Sequence, residues 1–547
     1  MYKWDAFCVS HFLFYARSVS GKRALSFGKR PASIPQKVIY SRPRVSIIVG
    51  HGCCEMPKSR ISRLPNVFVP NLYIAVMASA SLKVWNCDRQ QYPFAGVWKI
   101  PNIHSRKIRV HMESLIGVLQ QIQEIVWGPP TMILLLVTGL YYTLRLGFLQ
   151  FVHLPKAIRY IFEKEEGQGV GDVSAFASLC TALAATIGTG SIVGVATALR
   201  VGGPGALFWM WVSAILGMAT KYAEGVLAIK YRSIDENGEV AGGPMYYIEQ
   251  GMGIKWKWLA KMFAFFGAMT ALMGCGTFPQ VNAITESVSN AFNVPIPLVG
   301  AVVTIATAAV IIGGIKSISR VAEYIVPLMA AFYVAASAYV LLNQSAALPG
   351  AIALVVKSAF EPTAVAGGAT GAVIVSVMTA MRTGIARGVY TNEAGLGSAP
   401  IVVAAARSDS GVRQGLIAMT GVFFTTIVIC TMTGLVIITS GLLESSTLDG
   451  GILSNAAFNA GMSGNMGMYV VSIGLVFFSF TTIIGWNYYG ERCMVYLTDS
   501  VKYVMSYKIC IFCALLSLRI CPSGPSGIWP ISPTPSWLFP IWWHCLC

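Results

Sequence analysis

Residues 185–196 read ATIGTGSIVGVA, and they lie inside an apolar run from Ala175 to Leu199. A glycine in a helix interior costs roughly 1 kcal/mol relative to alanine, so Gly188 and Gly190 predict a helix that opens in mid-run. Opening frees carbonyls and N–H groups at membrane depth, which is tolerated only around a buried site or a water-filled cavity. Secondary transporters bind small polar solutes and ions at such breaks. Close packing is the competing reading, because Gly190 and Gly194 also form a GxxxG pair.

The composition around this stretch fits a membrane setting. Hydrophobic residues make up 55% of the 547 and charged residues 12%, against about 25% charged in soluble domains. Many apolar runs reach the roughly 20 residues that cross a bilayer. The net charge of +17 does not indicate nucleic acid, because it is localised: residues 1–111 hold 18 Lys/Arg against 3 Asp/Glu, and the other 436 hold 22 against 20. The body lacks the basic-aromatic interleaving that stacks bases, so no nucleic-acid partner is expected. Its cysteines are Cys180, Cys275, Cys430 and Cys493. The Cys510–Cys513 pair has no second pair at zinc spacing, so neither a metal site nor a disulfide framework is expected. His153 is the one histidine between the tails. There is no HExxH, GxSxG or Walker-type loop, and neither an enzyme nor an ATP-driven pump is expected.

The chain divides into three parts. Residues 1–111 show no sustained helical or strand period. The stretch GKRALSFGKRPASIPQK (21–37) would suit a targeting peptide; the preferred reading is an extension foreign to the rest. Met112 opens MESLIGVLQQIQEIVWGPP, an amphipathic lead into the first span. Residues 112–516 are expected to form one membrane-spanning domain, of the transporter kind that the break at 185–196 suggests. Nine spans are predicted near 128–148, 173–200, 204–230, 258–288, 296–315, 320–342, 366–390, 413–440 and 466–497, the seventh continuing as a broken element to Ala406. A tenth starts near Tyr503. Residues 517–547 carry six prolines and four tryptophans and cannot run as a regular helix; they read as an aberrant tail from a frame slip. Basic residues alternate from loop to loop. Lys156, Arg159, Arg232, Lys255, Lys316, Arg407, Arg413, Arg492 and Lys502 fall on one side, which the positive-inside rule places in the cytoplasm, with Met112 outside.

Four further segments carry polar groups into apolar surroundings. In GGPGALFWMWVSAILGMATKYAEG (202–225), Lys221 and Glu224 stand at i,i+3 and are expected to neutralise each other near the cytoplasmic end. GTFPQVNAI (276–284) places Gln280 and Asn282 at membrane depth, where amides need partners; these are a substrate or another helix. RTGIARGVYTNEAGLGSAPI (382–401) holds Arg382, Arg387 and Glu393 among four glycines. Charges in an apolar element are usually functional or paired; Arg387 could pair with Glu393, and Gly384 and Gly388 would permit a second break. In FFSFTTIIGWNYYGER (477–492), Thr482 and Trp486 share a helix face. Hydroxyls and freed carbonyls suit a small hard cation, and Thr186, Ser479 and Thr481 are the candidate cation ligands.

Together GTGSIVGVATAL, GGPGALFWMWVSAILGMATKYAEG, GGPMYYI, FPQVNAI, RGVYTNEAGLGSAPI and TTIIGWNYYGER resemble the alanine or glycine:cation symporter family, in order from about Met112 to Ser506. The resemblance implies an all-α polytopic membrane protein with a leucine-transporter-like inverted repeat of five plus five helices. The first span would be an extra N-terminal helix, the repeats would start at spans two and seven, and the C-terminal repeat would be incomplete here. It implies sodium-coupled symport of alanine or glycine into the cell across a bacterial-type plasma membrane, with Na⁺ as coupling ion and no organic cofactor. By position, Thr189, Gly190 and Ser191 would cradle the amino acid's polar groups, and Gln280, Tyr390, Thr482 and Trp486 would line the pocket. Ser191 stands where the family usually has Asn, and lacks the amide donor. Alternating access would follow, one bundle rocking against the other. A truncated non-transporting membrane protein or sensor is the reading from another class, and a proton-coupled amino-acid carrier the rival within transport.

Overall fold

The computed structural model describes residues 47–48, 53–54, 128–163, 169–367 and 371–520. The chain forms two units, Met1–Ile100 and Pro101–Cys547. In the first, the described residues are a short antiparallel pair, Ile47–Ile48 with Cys53–Cys54. The lead-in helix expected from Met112 to Trp127 and the tail beyond Ile520 lie outside the described residues.

The second unit is a helical bundle. Span one, Pro129–Arg145, begins on prolines whose missing N–H is no loss in a first helical turn. It packs on span three, Gly205–Lys230, through Gly139, where a Cβ would lie 2.8 Å from the Leu216 carbonyl oxygen. Span two starts at Ala175, capped by Ser174, whose hydroxyl accepts from the Ala177 N–H at 3.0 Å. It runs to Thr186, breaks, and resumes as Gly190–Gly202 at an angle of 54°. Span four is Lys257–Met273 followed by Phe278–Phe292. Spans five and six are Ile296–Ile311 and Gly314–Asn343. Span seven is Val377–Asn392 with a short continuation, Ala399–Val403. Span eight, Gly411–Thr439, contains a π-helical stretch at Phe423–Cys430. Span nine is Met466–Thr498, and span ten, Val504–Ile520, extends four residues past Leu516.

Five of these helices are long and apolar enough to cross a membrane singly among the described residues, and the bent pair in span two makes a sixth. Spans one, five and seven hold 16 or 17 residues, at the short end of what crosses a bilayer. The start of span seven is corrected from 366 to 377. Residues Thr363–Gly367 and Gly371–Val375 pair as an antiparallel hairpin, with Thr363 opposite Val375. Val and Thr on either side of a glycine-rich turn suit strands better than a helix, so the unit is mostly rather than wholly helical. A second hairpin, Ser233–Ile234 with Val240–Ala241, follows span three.

Two large apolar clusters and three smaller ones fill the bundle among the described residues. Of the large ones, one gathers Leu183, Ile192, Tyr333, Phe458 and Phe478; the other gathers Ala185, Phe263, Ile284, Trp486 and Tyr489. Spans two and nine feed both, so the break in span two sits where the clusters meet. The loops read as cytoplasmic from their charge converge on one another. Arg232 pairs with Asp409 at 3.2 Å, Arg407 donates to the Gly171 carbonyl at 3.2 Å, and buried Arg492 pairs with Asp235 at 2.8 Å and with Glu239. Asp172 accepts from the Val240 N–H at 2.8 Å. Burial raises this carboxyl above the usual range, and the Val240 N–H works against that shift.

Candidate functional site

The site forms where three helices break. In span two, residues 187 and 188 leave the helix. The glycine at 188 is dictated by a neighbour: a Cβ there would lie 2.5 Å from Thr482 Oγ1. Thr482 Oγ1 donates to the Phe478 carbonyl of its own helix at 2.9 Å. It also stands 3.0 Å from Ala184 O and 3.4 Å from Ile187 O, carbonyls at the opened end of span two. In span four the helix stops at Met273. Gln280 then bridges two breaks, its Nε2 donating to Cys275 O at 3.1 Å and its Oε1 accepting from the Thr189 N–H at 3.3 Å.

Span seven breaks at 393–398. Glu393, Gly395 and Gly397 take positive φ of 54°, 84° and 73°, a region costly for residues with a Cβ. The break therefore lies five residues beyond Gly388, not at Gly384 and Gly388. Those two are packing glycines: a Cβ at 384 would lie 2.2 Å from Ala206 O, and one at 388 would lie 2.0 Å from Ser213 Oγ. The helix stays regular there because span three leaves no room for anything else.

These breaks line a narrow cleft with a volume of about 20 Å³. Of the residues singled out from the sequence, Thr186, Gly190, Gln280, Tyr390, Thr482 and Trp486 line it. Thr189 is one shell back, held by Gln280. Ser191 is fully buried on another face of span two, where its carbonyl accepts from Thr433 Oγ1 at 3.0 Å. Thr481 donates to Phe478 O at 3.0 Å and faces Met329 Sδ at 3.7 Å. Ser479 is buried away from the cleft lining. A helix turns 100° per residue, so Thr481 and Thr482 cannot share a face.

Glycine opens and packs the same segment. A Cβ at Gly190 would come within 3.3 Å of the Tyr390 ring, and one at Gly194 within 2.5 Å of the Arg387 guanidinium carbon. Arg387 lies over the Tyr390 ring, 5.3 Å from its centroid. The Glu393 carboxylate accepts from the Ser398 hydroxyl.

The lining also includes Cys275, Thr391, Glu393 and Leu396, which the sequence reading did not assign to a pocket. Glu393 had a signal, as a charge in an apolar element; Cys275 and Leu396 had none. Glu393 is the ionisable acid of the cleft, Tyr390 and Trp486 are its bulky walls, and the polar groups left are hydroxyl, amide and backbone. The chemistry of such a lining suits a small zwitterion and a hard cation.

The sodium:alanine symporter family profile matches residues 112–520. An uncharacterized transporter of Haemophilus influenzae is 54% identical over 393 residues, covering 72% of this chain and 85% of its own. The sodium/alanine symporter AgcS of Methanococcus maripaludis is 48% identical over 403 residues, covering 72% of this chain and 86% of its own. The crystal structure of MhsT in complex with L-phenylalanine aligns with a TM-score of 0.48 at 14% identity, covering 69% of this chain and 89% of that one. With its broken spans, the cleft they line and a profile match over three-quarters of its length, the chain belongs to the sodium:alanine symporter family.

Proposed function

We propose that this multi-pass membrane protein carries alanine or glycine with Na⁺ across a plasma membrane into the cell, binding both between broken spans two, four and seven. Family membership makes sodium-coupled amino-acid symport the activity; the choice of substrate is our reading. The observation that carries it is Thr482 of the cleft lining, whose Oγ1 has two carbonyls at the opened end of span two within 3.4 Å. Unwound carbonyls with a hydroxyl are the donor set that takes a small hard cation in such carriers. On this reading Thr482 serves the cation, with Thr186 on the same lining, while Ser479 and Thr481 support span nine from behind.

The zwitterion would bind with its carboxylate toward the N–H end of the second half of span two, where the half-helix dipole favours negative charge. Glu393 and the Gln280 amide suit its ammonium. Tyr390, Leu396 and Trp486 close the space around a side chain no larger than a methyl group. We further read the bundle as an inverted repeat, spans two to six against a second repeat that begins at span seven and shows four of its five helices among the described residues, with span one outside both. The spacing of the two breaks, five spans apart, supports this. The carrier is assigned to residues 112–520 and residues 1–111 to an extension. A chain beginning at Met112 should insert and transport as the full chain does; loss of uptake on shortening would remove that assignment.

The purified chain in proteoliposomes should accumulate labelled alanine or glycine when an inward Na⁺ gradient is imposed. Equal uptake with Na⁺ replaced by choline at fixed pH rejects sodium coupling. Uptake that then follows an inward proton gradient selects the proton-coupled alternative.

A further inference from the structure

The break in span seven leaves backbone groups that its own helix cannot satisfy. The last carbonyls of a helix have no intrahelical partner and carry the negative end of its dipole. Here they meet Lys221 of span three, whose Nζ donates to Asn392 O at 3.0 Å and Glu393 O at 3.3 Å. One turn along the same helix, Glu224 Oε1 accepts from the Gly397 N–H at 3.0 Å, just before the short helix Ala399–Val403. Both side chains are buried, Lys221 at 3% exposure and Glu224 at 7%. The two charges stabilise each other, as the i,i+3 spacing suggests, and each also reaches across to span seven.

The polarity of the arrangement is informative. The cation sits on the carbonyl end of one half-helix and the anion on the N–H side of the turn that follows, each where the backbone dipoles favour it. Between the two anchored points lie Glu393 and Leu396, and beside the first lies Thr391, all lining the cleft. A buried lysine and a buried glutamate are costly at membrane depth unless something requires them. Neutral donors and acceptors could have satisfied the same backbone groups, as they do at the other breaks.

We propose that Lys221 and Glu224 are positioning residues of the carrier, a charged clamp that grips both ends of the 392–397 segment and so sets the wall of the cleft. The clamp touches no substrate; it acts through Glu393 and Leu396. It rests on the reading of this cleft as the substrate site.

Full-length protein in proteoliposomes gives the test as alanine KM and Vmax, with Trp486→Ala as the reference for the cleft. Lys221→Met and Glu224→Ala should each raise KM about tenfold, the size expected from losing one charge-assisted hydrogen bond. Lys221→Arg, which keeps the donors, should recover most of that. A residue that only packs the bundle would lower the melting temperature and Vmax and leave KM alone. If Lys221→Met yields no folded protein, the nearly isosteric Glu224→Gln decides, with about a threefold rise in KM expected for a weakened acceptor. Unchanged KM in these variants, with KM moved by Trp486→Ala, overturns the clamp and leaves the cleft standing. Unchanged KM in Trp486→Ala as well overturns the cleft reading, and the clamp falls with it.

Discussion

At the break in span two the freed backbone groups meet neutral side chains; at the break in span seven Asn392 Oδ1 takes the Ala394 N–H, and charged side chains hold the groups on either side of it. Gln280 accepts from the Thr189 N–H and Thr482 Oγ1 stands beside Ala184 O and Ile187 O. Lys221 and Glu224 hold Asn392 O, Glu393 O and the Gly397 N–H. A carbonyl already bound by a buried ammonium is a poor ligand for an arriving cation. A carbonyl within reach of a hydroxyl can turn to a cation, with the hydroxyl as a further ligand. The contrast suggests a division of labour, with span two supplying the exchangeable ligands and span seven a fixed wall.

One added methyl at each break probes that division. Gly397→Ala places a Cβ at φ +73°, 2.5 Å from Pro244 Cγ and 2.9 Å from the Phe263 ring. Backbone strain and overpacking together should destabilise the carrier by about 2–4 kcal/mol, read as a lowered melting temperature in detergent. A melting temperature equal to wild type would show that the wall is not fixed. Gly188→Ala drives its Cβ into Thr482 Oγ1 at 2.5 Å. Overpacking of this kind costs about 1–3 kcal/mol, and here it should fall on cation binding. The Na⁺ concentration for half-maximal uptake should rise about tenfold or more. If that concentration stays put and only expression drops, span two has no special claim on the cation.

A smaller effect is expected where the neutral side meets bulk. Trp486 lines the cleft and packs edge-to-face on Tyr489, ring centres 5.4 Å apart. Trp486→Ala should open room for several methylenes, each worth about 0.8 kcal/mol when buried. Leucine should then compete better against labelled alanine, and alanine itself should bind several-fold more weakly. An inhibition ratio identical to wild type would place Trp486 among the packing residues and move the pocket off span nine.

The same contrast explains what the sequence disclosed. The break in span two was legible because Gly188 and Gly190 interrupt an apolar run together with hydroxyls. The break in span seven was placed too early because Gly384 and Gly388 look, as letters, like Gly395 and Gly397. What separates them is span three: Ala206, Trp209 and Ser213 press on the first pair, while the second pair takes positive φ. Sequence spacing carries no record of such neighbours. For the same reason Thr481 and Thr482 could not be ranked as cation ligands, since the facing of span nine depends on Met329 and Ala184 across the interface. Lys221 and Glu224 were legible as a pair, but not their backbone partners, which lie 171 to 173 positions away. The loop charges were more transparent. Their partners lie in the other basic loops, as with Arg232 and Asp409 or Arg492 and Asp235, and alternation along the chain is enough to sort them.

Alanine binding to the purified protein at stepped Na⁺ concentrations, total ionic strength held with choline, reaches the central claim most directly. Because coupling between two ligands is reciprocal, a shared site at the opened end of span two requires the alanine Kd to fall as Na⁺ rises, and Thr482→Val should flatten that dependence. An alanine Kd that is the same in Na⁺ and in choline for the wild-type chain would contradict the account.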